Sequence, residues 1–342
     1  MQRIINAVAP IRICDLGGWT DTWFAEYGTV LNIGVYPYVQ CQMLVKDAAR
    51  SRGQVTIHAE NYGDRYTIDP TDIVYDRHPL LEAAVDAMQV PHSLDIEVNL
   101  YSQAPGGCST GTSAAVTVAL IGALDALTPG RMTPNEVASK AHEVETTYLK
   151  LQCGIQDQLC SAFGGICYIE MHRYPHASVS QIQIPNSIWW ELEARLSLIF
   201  LGKTHKSSEI HEKVIRELEG AGKDCPKIDA LRRPPAAGKD ALFAGDFDAF
   251  GRAMTANTEA QAALNPALVS GAARRVIDVS RKYGALGAKV NGAGGEGGSV
   301  TLLSGASRTD QRAMLAEIEA LDPKIRVIPT YLSRYGLRVW ES

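Results

Sequence analysis

The sequence predicts a chain of two domains, each mixing strands with helices. Three observations carry this expectation. At 342 residues the chain is about twice a typical single domain. Its N-terminal third is rich in β-branched and aliphatic runs and leads into a nearly all-apolar helical run. Past a stretch broken by Pro175 and Pro185, helices alternate with strands. The boundary falls in 175–195, giving domains of residues 1–185 and 190–342.

Taken in order, Val30–Tyr36 and Val39–Val45 read as strands, punctuated by Gly28 and Pro37. Gln54–Ala59 and Arg65–Ile68 read as a hairpin around Asn61-Tyr62-Gly63-Asp64. Pro79–Met88 reads as a helix. Leu94–Leu100 alternates apolar and polar residues, as a half-buried strand does. Ala114–Leu127 has few polar residues and reads as a buried helix. Thr133-Pro134-Asn135-Glu136 opens another: Thr133 is the N-cap, Pro134 takes the first position and Glu136 completes a capping box. This helix is expected to reach about Lys150. A further helix runs from near Ile155 to Gly164-Gly165. Residues 172–192 read as broken by their prolines, and Arg195–Leu201 as the strand that opens the second domain. Asp229–Lys239, with Pro234-Pro235, reads as a loop. Lys289–Leu303 reads as a Gly-interrupted hairpin or strand–loop–strand.

Composition narrows the function classes. Apolar residues make up 46% and charged residues 21%, an ordinary globular balance. The net charge is -5 and no long Lys/Arg run occurs, so a nucleic-acid partner is not expected. No uncharged apolar run of about 18 residues occurs, so no membrane span is expected. The first residues carry Arg3, Arg12 and Asp15 and lack the apolar block of a signal peptide. The seven cysteines include no Cys-x-x-Cys pair, which suits reduced thiols and a cytoplasmic protein. Cys153, Cys160 and Cys167 lie seven apart, wider than zinc sites favour.

Three segments carry chemistry. The first in weight is Pro105-Gly106-Gly107-Cys108-Ser109-Thr110-Gly111-Thr112-Ser113, between a strand and the buried helix. Three glycines let several N–H groups converge, and the helix start adds partial positive charge, so the loop suits a polyphosphate. It is not a P-loop, because no Gly-Lys-Ser/Thr follows. A tight turn before a Ser/Thr-capped helix has the same composition. The second segment is Lys289-Val290-Asn291-Gly292-Ala293-Gly294-Gly295-Glu296-Gly297-Gly298, whose small residues imply close backbone approach to a ligand or to the first domain. A flexible hairpin tip would read the same. The third runs from Ala9 to Thr22 and puts Arg12, Asp15, Gly17, Gly18, Trp19, Thr20 and Asp21 at the end of a strand. Carboxylates and an aromatic face suit a polyol. Capping carboxylates in a strand-loop would also fit.

In this order the segments resemble the GHMP kinase superfamily, from Ala9 to Leu303. The middle segment is similar to that family's Pro-x-x-x-Gly-Leu-Gly-Ser-Ser-Ala-Ala, with Ser109 at the first Gly, Thr110 at Leu and Thr112 at the first Ser. A Gly at that position takes positive φ freely. The late segment matches at Gly292-Ala293-Gly294-Gly295, with Glu296 in place of a Gly. Gly17-Gly18-Trp19-Thr20-Asp21 and Gly154-Ile155-Gln156-Asp157-Gln158 resemble segments of fucokinases and of kinases of the D-glycero-D-manno-heptose 7-phosphate type. Gly202-Lys203-Thr204-His205-Lys206-Ser207-Ser208 resembles the opening of the second domain in heptose kinases.

The resemblance implies a two-domain α+β fold with a ferredoxin-like C-terminal domain, and a cytoplasmic kinase that uses ATP and Mg2+ on a sugar or sugar phosphate. Its implied acceptor is the anomeric hydroxyl of a heptose 7-phosphate. Another aldose (fucose, galactose, arabinose), or a non-catalytic nucleotide-binding homologue, are the alternatives. Carried over by position, Asp157 is the catalytic carboxylate and Arg12 its neighbour beside the transferring phosphoryl. Residues Pro105 to Ser113 hold ATP, and Ser113 and Glu145 hold magnesium. Asp21, with the Gly17-Gly18-Trp19-Thr20 backbone, binds sugar hydroxyls. His205 and Lys206 suit a substrate phosphate or a solvated face. The oligomeric state, a homodimer included, stays open.

Overall fold

The computed structural model describes residues 2–48, 53–203 and 209–342. The chain begins with two long strands, β1 (Arg3–Leu16) and β2 (Gly28–Asp47), then the hairpin β3 (Val55–Ala59) and β4 (Asp64–Ile68). Next come α1 (Pro79–Ala87), β5 (Leu94–Ser102), α2 (Thr112–Asp125), α3 (Pro134–Glu143) and α4 (Gln156–Phe163), followed by β6 (Ile166–Arg173), β7 (His176–Ile182) and α5 (Asn186–Arg195). The second half runs β8 (Leu196–Phe200), α6 (Glu209–Ala221), α7 (Pro226–Arg232), α8 (Pro234–Ala244), α9 (Phe247–Leu264), α10 (Gly271–Lys282), β9 (Gly287–Val290), β10 (Ser299–Leu303) and α11 (Arg308–Ala320). It closes with β11 (Arg326–Ile328), β12 (Tyr331–Leu332) and β13 (Arg338–Glu341).

Two sheets organise these elements. In the first, β1 and β2 pair antiparallel along most of their length and β5 lies beyond β2. The second is antiparallel with order β11-β8-β10-β9. Each half of its β-α-β-β-α-β path carries a helix across one face, the ferredoxin-like arrangement the resemblance implied. The chain enters this sheet at Leu196, but its last strands return to the first: β13 pairs with β1 and β12 with β2.

Apolar patterning explains the packing. Buried α2 lies against β1 and β2, and one continuous core runs from them to Leu242, Phe250 and Met254 of α8 and α9. A second core joins β9 and β10 to α10 and α11. A third, small cluster seats Val214 and Leu218 of α6 against Trp19 and Phe24. No helix among the described residues is long and apolar enough to cross a membrane.

Several local expectations differ from the structure. Asp229–Lys239 is not a loop: Pro226 and Pro234-Pro235 occupy first-turn positions of α7 and α8, where a missing N–H costs nothing. Residues 172–192 hold β7 and most of α5 rather than a broken stretch. The two early strands form one strand through Pro37. The helix begun at the Thr133–Glu136 capping box ends at Glu143 and continues as one wide π-type turn, Val144–Tyr148. Residues 204–208 of the Gly202–Ser208 segment, with His205 and Lys206, lie outside the described residues.

Candidate active site

Arg12 anchors the site. It lies on β1, where its own N–H donates to the Thr110 carbonyl at 2.9 Å. Its Nε and Nη2 donate to the two oxygens of Asp157 at 2.8 and 3.1 Å, a bidentate clasp. Its Nη1 donates to the Ser109 carbonyl. Burial works against the guanidinium's charge, but Asp157 and Asp15 outweigh it and push the pKa up. The Arg12 side chain is 4% exposed and that of Asp157 28%, so the carboxylate is the member that faces open space. Asp157 sits in the first turn of α4, where a carboxylate complements the helix dipole.

The Gly/Ser-rich loop wraps against this pair. Gly107, Ser109 and Gly111 all take positive φ, at 69°, 57° and 67°. Gly111 precedes α2 and offers no side chain to its first N–H groups, which leaves them for an anion. A Cβ on Gly111 would stand 3.2 Å from the Asp157 carboxylate. Ser109 itself adopts the left-handed conformation that a Gly would hold freely, and its hydroxyl is buried without a partner.

The late Gly-rich segment meets this loop. A Cβ on Gly292 would come within 3.2 Å of Ser109, so its close approach is to the first domain. Asn291 Oδ1 accepts the Cys14 N–H at 3.0 Å, and Ser299 Oγ donates to the Cys108 carbonyl at 2.6 Å.

Two further carboxylates face the same space. Asp21 accepts the Gln156 N–H at 3.0 Å, and burial raises its pKa to about 6 against that bond. Glu145 lies in the wide turn after α3, and such turns recur at functional sites. It accepts Gln158 Nε2 at 2.6 Å. Burial is the main cause that lifts its pKa to about 7, and the Asp157 charge adds to it.

Together these groups bound a cavity of about 400 Å³. Of the residues singled out from sequence, Arg12, Gly18, Trp19, Asp21, Glu145, Asp157 and the stretch 107–113 line it. Gly17 and Thr20 stand behind: the Gly17 N–H donates to Asn257 Oδ1 at 2.7 Å, and Thr20 Oγ1 donates to the Gly17 carbonyl at 2.7 Å. Pro105 and Gly106 lie outside the lining. His211, read from sequence as structural, lies in the wall, where its Nε2 donates to the Gly294 carbonyl at 2.9 Å and its ring meets the edge of Trp19. Cys153, Gly154, Trp23 and Phe24 line it too. Asp15 and Lys289 lie just behind, both buried, with burial lowering the Lys289 pKa against the pull of Asp15. The signal for these two is an acidic or basic residue inside an apolar strand run, which requires a partner once buried.

An uncapped helix start, a guanidinium and a clasped, solvent-facing carboxylate share one cavity. That set suits phosphoryl transfer, which needs positioning and charge stabilisation more than covalent help. Residues 79–165 match the GHMP kinases N terminal domain and residues 239–320 match GHMP kinases C terminal, and the chain belongs to this family of ATP-dependent kinases. It is a phosphotransferase with an alcohol group as acceptor.

Among its relatives, the D-glycero-alpha-D-manno-heptose 7-phosphate kinase of Campylobacter jejuni is 25% identical over 307 residues, 86% of this chain and 88% of that protein. The mevalonate kinase of Thermococcus sibiricus is 29% identical over 249 residues, 71% of this chain and 69% of that protein. The crystal structure of a D-glycero-D-manno-heptose 1-phosphate kinase from Bacteroides thetaiotaomicron shares the fold, with a TM-score of 0.75, 21% identity and 98% of each chain covered.

Proposed function

We propose that this protein transfers the terminal phosphoryl group of ATP to the anomeric (C1) hydroxyl of a sugar, D-glycero-D-manno-heptose 7-phosphate, in the cytoplasm. The observation that carries the reaction is the Arg12–Asp157 clasp: the carboxylate opens onto the cavity that the phosphate loop and Asp21 also line. The heptose reading is supported by the Campylobacter jejuni relative, which aligns over 86% of this chain.

In this mechanism the loop from 105 to 113 and the start of α2 hold the phosphates of ATP. Asp21 and the Gly17-Gly18-Trp19-Thr20 turn orient the sugar. A carboxylate offers about four lone-pair sites, so Asp157 keeps acceptor capacity beyond its two bonds to Arg12. The sugar oxygen attacks the terminal phosphorus and the bond to the bridging oxygen breaks. The hydroxyl proton passes to Asp157, and ADP leaves. Arg12 offsets negative charge on the moving phosphoryl while keeping Asp157 in place.

Ser113 and Glu145 suit magnesium: they are hard oxygen donors, and Glu145 stands close enough to Asp157 to feel its charge. They would hold the ion, and magnesium would supply positive charge against the ATP phosphates.

The test is ADP release over a panel of sugars, each with and without a terminal phosphate. Mevalonate belongs in the panel because the archaeal mevalonate kinases are as similar in identity. Turnover greatest with heptose 7-phosphate, and phosphate gained at C1, supports the reading. Preference for another acceptor moves the substrate assignment. ATP binding without turnover on any alcohol leaves a nucleotide-binding module instead.

A further inference from the structure

Asp15 and Lys289 place an acidic and a basic side chain where the fold admits almost no water: they are 0% and 1% exposed. Asp15 stands near the end of β1 and Lys289 in β9, so the pair joins the two sheets. Lys289 Nζ lies 3.5 Å from Asp15 Oδ1 and donates to Gln261 Oε1 at 3.3 Å and to the Val290 carbonyl. Both oxygens of Asp15 accept the Gly292 N–H, at 3.1 Å each. Asp15 Oδ1 is also 3.9 Å from Arg12 Nη1.

A buried ion pair is a poor way to gain stability, since apolar residues of similar volume often do as well. Neither residue lines the cavity, so neither touches a reactant there. Their geometry bears instead on Arg12, which has two carboxylates within reach. It clasps Asp157 at 2.8 and 3.1 Å and leaves Asp15 at 3.9 Å. Lys289 supplies the positive charge that Asp15 would otherwise draw from Arg12.

We propose that Asp15 and Lys289 form a positioning couple: Lys289 neutralises Asp15 so that Arg12 stays on Asp157, while Asp15 ties Gly292 to the end of β1. The inference rests on the kinase reading of the site. Loss of Lys289 leaves a buried carboxylate that pulls Arg12 from Asp157. Loss of the Asp15 charge leaves a buried cation facing Arg12. Both changes misplace groups that act on the moving phosphoryl, not those that bind the rest of either substrate.

The experiment compares wild type, Lys289→Met, Asp15→Asn and the double variant, in full-length protein, by melting temperature and by kcat and KM for ATP and the acceptor. Asn keeps an oxygen for the Gly292 N–H without the charge. Each single variant is expected to lose about 10- to 100-fold in kcat, a size usual for a misplaced catalytic group, with both KM values held within about 3-fold. The double variant, which buries no net charge, is expected to recover most of that kcat. A purely structural pair would lower the melting temperature and leave the kcat of folded protein alone. Unchanged kcat in a folded single variant, or no recovery in the double, overturns the couple. If Lys289→Met does not fold, the comparison of Asp15→Asn with the double decides by the same criterion. A wild type that turns over no alcohol overturns the kinase reading and the couple with it. A wild type active beside fully active variants overturns the couple alone.

Discussion

Arg12 grips both oxygens of Asp157 across 145 positions of sequence, with bonds of 2.8 and 3.1 Å. The clasp ties β1 to the first turn of α4 and brings the Gly/Ser-rich loop against both, through the Ser109 and Thr110 carbonyls. Replacing Asp157 by Asn keeps the shape and removes the charge. ATP affinity should persist while turnover falls by roughly 100-fold or more. An ATP titration and ADP release measure the two, and near-normal turnover would remove Asp157 from the mechanism.

Ser109 holds φ at 57° and presents its carbonyl to Arg12. Ser109→Gly fits that backbone without strain, so activity and ATP binding should both survive. A β-branched side chain there is strained: Ser109→Val should cost about 1–3 kcal/mol of stability and weaken ATP binding. Urea unfolding and ATP titration check both variants. Equal behaviour of Gly and Val would mean that the loop does not need this conformation.

Gly154 gives Asp21 its room: a Cβ there would stand 2.0 Å from Asp21 Oδ2. Gly154→Ala should displace the carboxylate and cost roughly 100-fold in kcat/KM for the acceptor, with KM for ATP little changed. Steady-state kinetics with each substrate varied in turn separates these effects. A rise in KM for ATP alone would contradict the assignment of Asp21 to the acceptor.

Asp21 also makes stability depend on pH. Burial raises its folded pKa from 3.8 to about 6. The folded chain therefore holds this proton more tightly than the unfolded chain. The stabilising contribution is complete below 3.8 and is lost as pH rises through about 6. The melting temperature of wild type relative to Asp21→Asn should fall between about pH 4 and about pH 7. A difference that stays constant over this window would show that Asp21 does not titrate there.

Much of the site is legible in the sequence because its chemistry is contiguous. The loop from 107 to 113 concentrates Gly, Ser and Thr before an apolar helix, and Gly17 to Asp21 concentrates a glycine pair, an aromatic and a carboxylate. Capping chemistry is also local, and the Thr133–Glu136 box stands as expected. Pro234-Pro235 mislead because a Pro that ends one helix and a Pro that begins the next look alike without the flanking backbone. His211 carries no sequence sign of its place in the wall, since only the packing of α6 on Trp19 and Phe24 brings it there.

The sequence by itself determined which residue types could bind phosphate, accept a proton and hold a hard cation, because local composition and helix starts set those properties. The tertiary structure alone decided that Arg12 meets Asp157, that Ser109 takes a glycine's conformation against Gly292, and that Asp15 finds Lys289. Each of those depends on two segments far apart in the chain arriving at van der Waals or hydrogen-bond distance, and that is set by how α4 packs on β1 and how the two sheets meet, not by any window of sequence.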